Sequence, residues 1–190
     1  MKNKKKAVVV LDACVIYPAP IRDFLLHLAV ENLFIPKWSD RIQEEWIRNL
    51  LLKRPDLSES ALGKTVKAMN EAFPEANIER DRILENKLTL PDKDDRHVLV
   101  TAIKAKADYI LTFNLKDFPS DYLKKYEVFA ISPDDLLCNL YINNPDSVKI
   151  AFRNQVKNLK NPPIKALDLL NIFKKVGLPK IANKLSASTE

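Results

Sequence analysis

The segment Ala7-Val8-Val9-Val10-Leu11 sets five apolar residues in a row, three of them valines, and ends on Asp12. A run this short and this rich in β-branched residues predicts a strand buried on both faces. Helical patterns alternate with three further apolar runs, 33–38, 108–113 and 128–132, as far as residue 141. That alternation predicts an α/β domain, a mostly parallel sheet flanked by helices in three layers. Asp12 then falls at the carboxyl end of its strand, where open parallel sheets bind ligands. A carboxylate there is costly to desolvate without a partner.

Helices are predicted over about 21–34, 39–52, 56–72 and 95–106. Ser39 is placed to cap the second, whose apolar face holds Ile42, Trp46 and Leu50. Residues 75–90 read as a short helix and a short strand. Ser132-Pro133-Asp134-Asp135 reads as an N-cap, a proline at the first helical position and acids in the first turn. Beyond Pro145 the pattern is helical only, over about 146–159, 164–176 and 178–185, with Gly177 as a C-cap. The chain therefore divides into an α/β domain over 1–142 and an all-helical extension over 143–190.

The chain has two glycines, Gly63 and Gly177, in 190 residues, where an average of ~7% would give about 13. A glycine-rich phosphate loop is excluded, and with it a P-loop NTPase or a GxGxxG dinucleotide site. Phosphate must be handled by side chains, metal ions or helix N-termini. The net charge of +6 suggests a polyanionic partner, but it is unevenly placed. Residues 147–190 hold nine basic groups against two acidic ones, Lys2, Lys4, Lys5 and Lys6 cluster at the start, and residues 7–146 carry −5. An acidic body thus bears a basic helical tail and a basic tip.

Cys14 and Cys138 form no CxxC pair and read as small apolar residues of a reduced compartment. The lysines before AVVVL resemble a signal peptide. Asp12 breaks that apolar run and no small-residue cleavage site follows, so a cytoplasmic protein is expected. No apolar run of about 20 residues is present to span a membrane.

The acids carry the chemistry. Asp117 follows the run 108–113, at the same end of a strand as Asp12. Asp94 and Asp95 open the helix that precedes that run. Glu45, next to Glu44, lies one turn into the helix from Ser39, beside Trp46. If Asp12, Glu45, Asp95 and Asp117 converge, repulsion raises their pKa values or demands a cation. Hard divalent ions, Mg²⁺ or Mn²⁺, take such oxygen ligands and activate water for attack on a phosphodiester.

Asn114 is either a turn former or a hydrogen-bond partner of a metal-bound water. His97 and His27 read as packed or surface histidines. Trp38 and Trp46 read as core rather than as rings that stack on bases. Arg22, Arg96 and Lys116 lie near the acids in sequence and are the candidates for binding the scissile phosphate.

At VVVLDACVIYPAPIRDFLL, WSDRIQEEW and LPDKDDRHVLVTAIKAKADYILTFNLKDFP the sequence resembles the PIN-domain family, over about residues 6–140. The tail NPPIKALDLLNIFKKVGLPKIANKL resembles the helical extension of a bacterial PIN subgroup grouped with the VapC-type toxins. The resemblance implies a parallel sheet sandwiched by helices and an Mg²⁺- or Mn²⁺-dependent endoribonuclease with three or four acids. Carried over, these are Asp12, Glu45, Asp95 and Asp117, with Thr112 and Asn114 as supporting ligands and Asp94 as the alternative to Asp95. It also implies a homodimer, restrained by a cognate antitoxin and acting on RNA. A catalytically silent RNA-binding or partner-binding module is the competing class, since the tail's lysines alone would give RNA affinity.

Overall fold

The computed structural model describes residues 6–187. Lys2, Lys4 and Lys5 of the basic tip, and Glu190, lie outside the described residues. The chain forms two compact units, one of Ala7–Tyr17 and Ile35–Ile131, the other of Lys6, Pro18–Phe34 and the described residues from Ser132 onward.

The first unit is built on β1 (Val8–Leu11), β2 (Ile35–Lys37), β3 (Tyr109–Leu111) and β4 (Phe129–Ile131). Each of the four apolar runs supplies one. All pairings are parallel and the order is β2-β1-β3-β4. Val10 stands opposite Lys37 on one side and Ile110 on the other, and Ile110 opposite Ala130. The chain winds from β1 to β2 in one direction and from β3 to β4 in the other. The carboxyl ends of β1 and β3 therefore form the crevice at which such sheets bind ligands.

The helices of this unit are α1 (Ala13–Ile16), α3 (Asp40–Lys53), α4 (Glu59–Ala72), α5 (Arg82–Lys87), α6 (Arg96–Ala105) and α7 (Ser120–Leu123). The buried face of α6, with Val98, Leu99 and Ala102, packs on β1, β2 and β3. Val9, Val10 and Leu11 are wholly buried, as the unbroken apolar run requires. Trp38 and Trp46 are core, and their indole N–H groups donate to Asn70 Oδ1 (2.8 Å) and Gln43 Oε1. A buried indole needs such a partner, and neither ring is open to a base. Residues 75–90 form α5 but no strand, only an isolated bridge from Trp38 to Asn77. Charge holds this segment where a ladder does not: Glu85 of α5 is gripped by Arg41 and by Arg80 Nε at 3.0 Å.

The second unit consists of α2 (Ala19–Val30), α8 (Pro133–Asn143), α9 (Pro145–Asn158), α10 (Ala166–Lys175) and α11 (Pro179–Ser186). The tail helices thus fold around a helix from near the start of the chain. Phe24 of α2 meets Phe173 of α10 at 5.1 Å and Phe152 of α9 at 6.2 Å, and the latter two meet at 5.9 Å. Gly177, with φ 97°, makes the left-handed turn between α10 and α11 that disfavours other residues. Asp134 of α8 accepts the N–H groups of Lys180 and Ile181, both at 2.9 Å, and so caps α11 from another helix.

Candidate active site

Asp12 ends β1 and Thr112 ends β3, side by side at the switch in winding. The N–H of Asp12 donates to the Leu111 carbonyl, and that of Thr112 to the Ile131 carbonyl, each at 3.1 Å. Backbone pairing thus fixes both residues one step past their strands. The Thr112 hydroxyl donates to Asp12 Oδ2 at 2.7 Å, and the Cys14 thiol donates to the same oxygen at 3.1 Å. Thr112 Oγ1 accepts from the Asn114 N–H at 2.9 Å, and Cys14 Sγ from the Phe113 N–H at 3.4 Å.

Asp12 is buried. Burial pushes its carboxyl up, Thr112 and Cys14 pull it down, and the charge of Glu45 pushes it up again, with a raised result. Burial and then the charge of Asp12 push the Cys14 thiol up to about 12, so it stays protonated as a donor. Cys14 is therefore a polar prop for Asp12 rather than the apolar filler its sequence context suggested.

Ser39, Ser58, Asp81 and Ser132 each accept the N–H three residues on, as N-cap side chains do. Asp12 stands at the N-cap of α1 and Asp95 at that of α6, yet neither makes a side-chain cap.

Asp95 is half-buried, and its Oδ2 is buried with no hydrogen-bond partner. Burial foremost, and then the charges of Asp12, Asp92, Asp117 and Glu45, push its carboxyl up to about 7. Four acids thus act on one. The neighbouring Asp94 is exposed, and its N–H donates to Asp92 Oδ1 at 2.8 Å. Asp92 was not anticipated, because sequence alone gives no reason to separate it from a solvated acidic loop. Asp117 lies in a single 3-10 turn, 115–117, its N–H bonded to the Asn114 carbonyl at 3.0 Å. Asn114 thus joins the network through its backbone, and Lys116 is exposed beside Asp117.

Glu45 is half-buried while Glu44 is exposed. Glu45 Oε2 lies 3.0 Å from Nε2 of His97, which is buried on α6. Sequence reading placed His97 as a packed or surface histidine. It is packed, but its ring engages a site carboxylate. Spacing held a signal here, since His97 lies two residues after Asp95 at a helix start. Arg96 is half-buried with Nε unpartnered, whereas Arg22 belongs to the second unit, with Asp23 at 3.5 Å. Among the described residues, no group of three or more His, Cys, Asp or Glu side chains is placed to hold a metal ion.

A short parallel sheet flanked by helices defines a class of fold, and comparison with known proteins assigns the family. A family model described as PIN domain matches residues 8–116, more than half of the chain, and the chain belongs to that family. A second model, VapC50 C-terminal domain, matches residues 133–187, the stretch that forms α8 to α11. The "Putative ribonuclease VapC50" of Mycobacterium tuberculosis (strain ATCC 25618 / H37Rv) is 38% identical over 77 residues. That alignment spans 40% of this chain and 46% of the relative, less than half of either. No solved structure matches the chain significantly.

Proposed function

We propose that this chain is a divalent-metal-dependent endoribonuclease that hydrolyses phosphodiester bonds in RNA, as the toxin of a type II toxin–antitoxin pair. The observation that carries the reading is Asp95, a carboxyl raised to about 7 among four acids, with a buried oxygen that no hydrogen bond serves. A cation relieves both conditions at once. The donors are carboxylate oxygens, which suit Mg²⁺ or Mn²⁺. Mg²⁺ keeps several of its waters and binds through one or two carboxylates and substrate phosphate, so it needs no closed cage.

Asp12, Asp95 and Asp117 would hold the ion, with Asp94 exposed beside them. Once bound, it would supply an activated water and charge stabilisation for phosphodiester hydrolysis. Thr112 and Cys14 hold the Asp12 carboxylate in one orientation. His97 fixes Glu45, which would serve as the proton acceptor at the site. Arg96 and Lys116 are the cations assigned to the scissile phosphate, while Arg22 is engaged with Asp23.

The partners that go with this role are RNA, a cognate antitoxin and a second copy of the chain, in the cytoplasm. No helix among the described residues is long and apolar enough to cross a membrane. The test is cleavage of a labelled RNA with Mn²⁺. Wild type should give fragments that EDTA suppresses, and Asp12→Asn and Glu45→Gln should leave the RNA intact with the fold preserved. RNA bound but uncut in the presence of Mn²⁺ would establish the silent binding module instead.

A further inference from the structure

The second unit holds a cleft of its own, of 370 Å³, between α9, the start of α10 and the end of α11. Its floor is apolar: Phe152 and Val156 of α9, Ala166 of α10 and Leu185 of α11. Its rim is cationic: Lys149, Arg153 and Lys157 recur every four residues and form one row along α9. No carboxylate lines it. The described residues from 147 onward hold nine basic groups and a single acid, Asp168.

Arg153 and Lys157 are exposed, and Lys149 lies 6.0 Å from the Tyr141 ring. Leu167, the neighbour of Ala166 on α10, is 63% exposed and adds apolar surface to that helix.

We propose that this cleft docks an acidic, amphipathic helix of a partner protein. Apolar side chains at i, i+3 or i+4 and i+7 of that helix would enter the floor, as in helix-in-groove recognition. Its flanking carboxylates would meet the row of cations, which sets orientation and speeds encounter. RNA fits the floor less well. Single-stranded RNA is held by stacking on exposed aromatic faces. Phe152 is the cleft's one aromatic residue, and it is buried and packed against Phe24 and Phe173. The proposal goes beyond the nuclease reading and stands or falls separately from it.

The test uses the full chain and a phage-displayed library of amphipathic helical peptides. Selection on wild type should enrich Asp and Glu beside apolar residues at helical spacing. The selected peptide should lose about tenfold or more in affinity towards Arg153→Glu/Lys157→Glu, in line with the loss of close charge pairs. Ala166→Phe, which fills the floor, should weaken it comparably. Both variants should retain wild-type circular dichroism and RNA cleavage. No acidic enrichment, equal binding by the variants, or equal binding of a scrambled peptide of the same composition would each overturn the proposal. So would loss of RNA oligonucleotide binding in the charge-reversed variant without any peptide binding, which would identify a polyanion surface. If wild type fails to cut RNA but binds the peptide as described, the nuclease reading fails and the cleft stands.

Discussion

His97 Nε2 lies 3.0 Å from Glu45 Oε2, a bond between the start of α6 and the second turn of α3. It ties together the helices that carry Asp95 and Glu45, so that neither acid is positioned by its own helix alone. Partners that orient site carboxylates typically contribute 10–100-fold to metal affinity or activity. His97→Ala should therefore lower Mn²⁺-dependent RNA cleavage by about 10- to 100-fold. His97→Gln, which keeps a donor, should recover part of the loss. Equal rates for the two variants would reduce His97 to a packing residue.

Thr112 links Asp12 to the turn that carries Asp117. Its hydroxyl donates to the carboxylate at 2.7 Å, and the same oxygen receives the Asn114 N–H that begins the turn to Asp117. Thr112→Val has nearly the same shape and removes both bonds. A hydrogen bond to a charged group contributes about 1.5–3 kcal/mol. The variant should lose about that much in urea unfolding and should also cut RNA more slowly. A loss of activity with unchanged stability would mean that the hydroxyl acts on substrate instead.

Asp95 sets the pH response of the metal-free protein. Its ordinary value is 3.8 and its folded value is about 7. Between the two, the folded chain keeps a proton that the unfolded chain has released, so stability falls as pH rises through that window. Above it, the full penalty is present. Asp95→Asn removes the penalty and should stabilise the protein in EDTA at pH 8, by about 1–2 kcal/mol after allowance for solvent screening. Near pH 4 the gain should vanish. Mn²⁺ should raise the melting temperature of wild type at pH 8 and leave that of the variant nearly unchanged. A gain of the same size at both pH values would show that the repulsion is not its source.

The parts of this fold that were readable in the sequence are those encoded locally. Each apolar run became a strand, and Ser39 and Ser132 cap their helices where the pattern placed them. Asp12 was conspicuous because an acid ending a valine run has no structural excuse. The Cys14–Thr112 contact and the Glu45–His97 bond were not readable, because each depends on which strands and helices become neighbours. Cys14 bonds Asp12 two positions away, but it meets Thr112, 98 positions on, only when β3 lies beside β1. The same holds for α2, whose C-cap residue Glu31 accepts from Asn154, 123 residues on. Helical periodicity predicted that the tail had an apolar face, and nothing in it named the helix it would cover.

Asp134 and Asp135 show how adjacent acids with one sequence signature come to differ. Both read as first-turn acids of α8, and Asp135 does accept its N-cap hydroxyl from Ser132 at 2.7 Å. Asp135 also meets Lys180 Nζ at 2.6 Å, but the side chains are 49% and 63% exposed. An ion pair so open to water contributes about 0–1 kcal/mol. Asp134 is buried, and its two oxygens serve the N–H groups of Lys180 and Ile181 at the start of α11. Removing it leaves helix-end donors unpaired, and α11 has no side-chain cap of its own. Asp134→Ala should therefore lower unfolding stability by about 1–3 kcal/mol, while Lys180→Ala, which deletes the Asp135 pair, should change it by less than about 1 kcal/mol. Hydrogen exchange should locate the difference, with amides 180–185 losing protection in Asp134→Ala and keeping it in Lys180→Ala. Comparable protection in both variants would mean that packing of Ile181 and Leu185, rather than the borrowed cap, holds α11 in place.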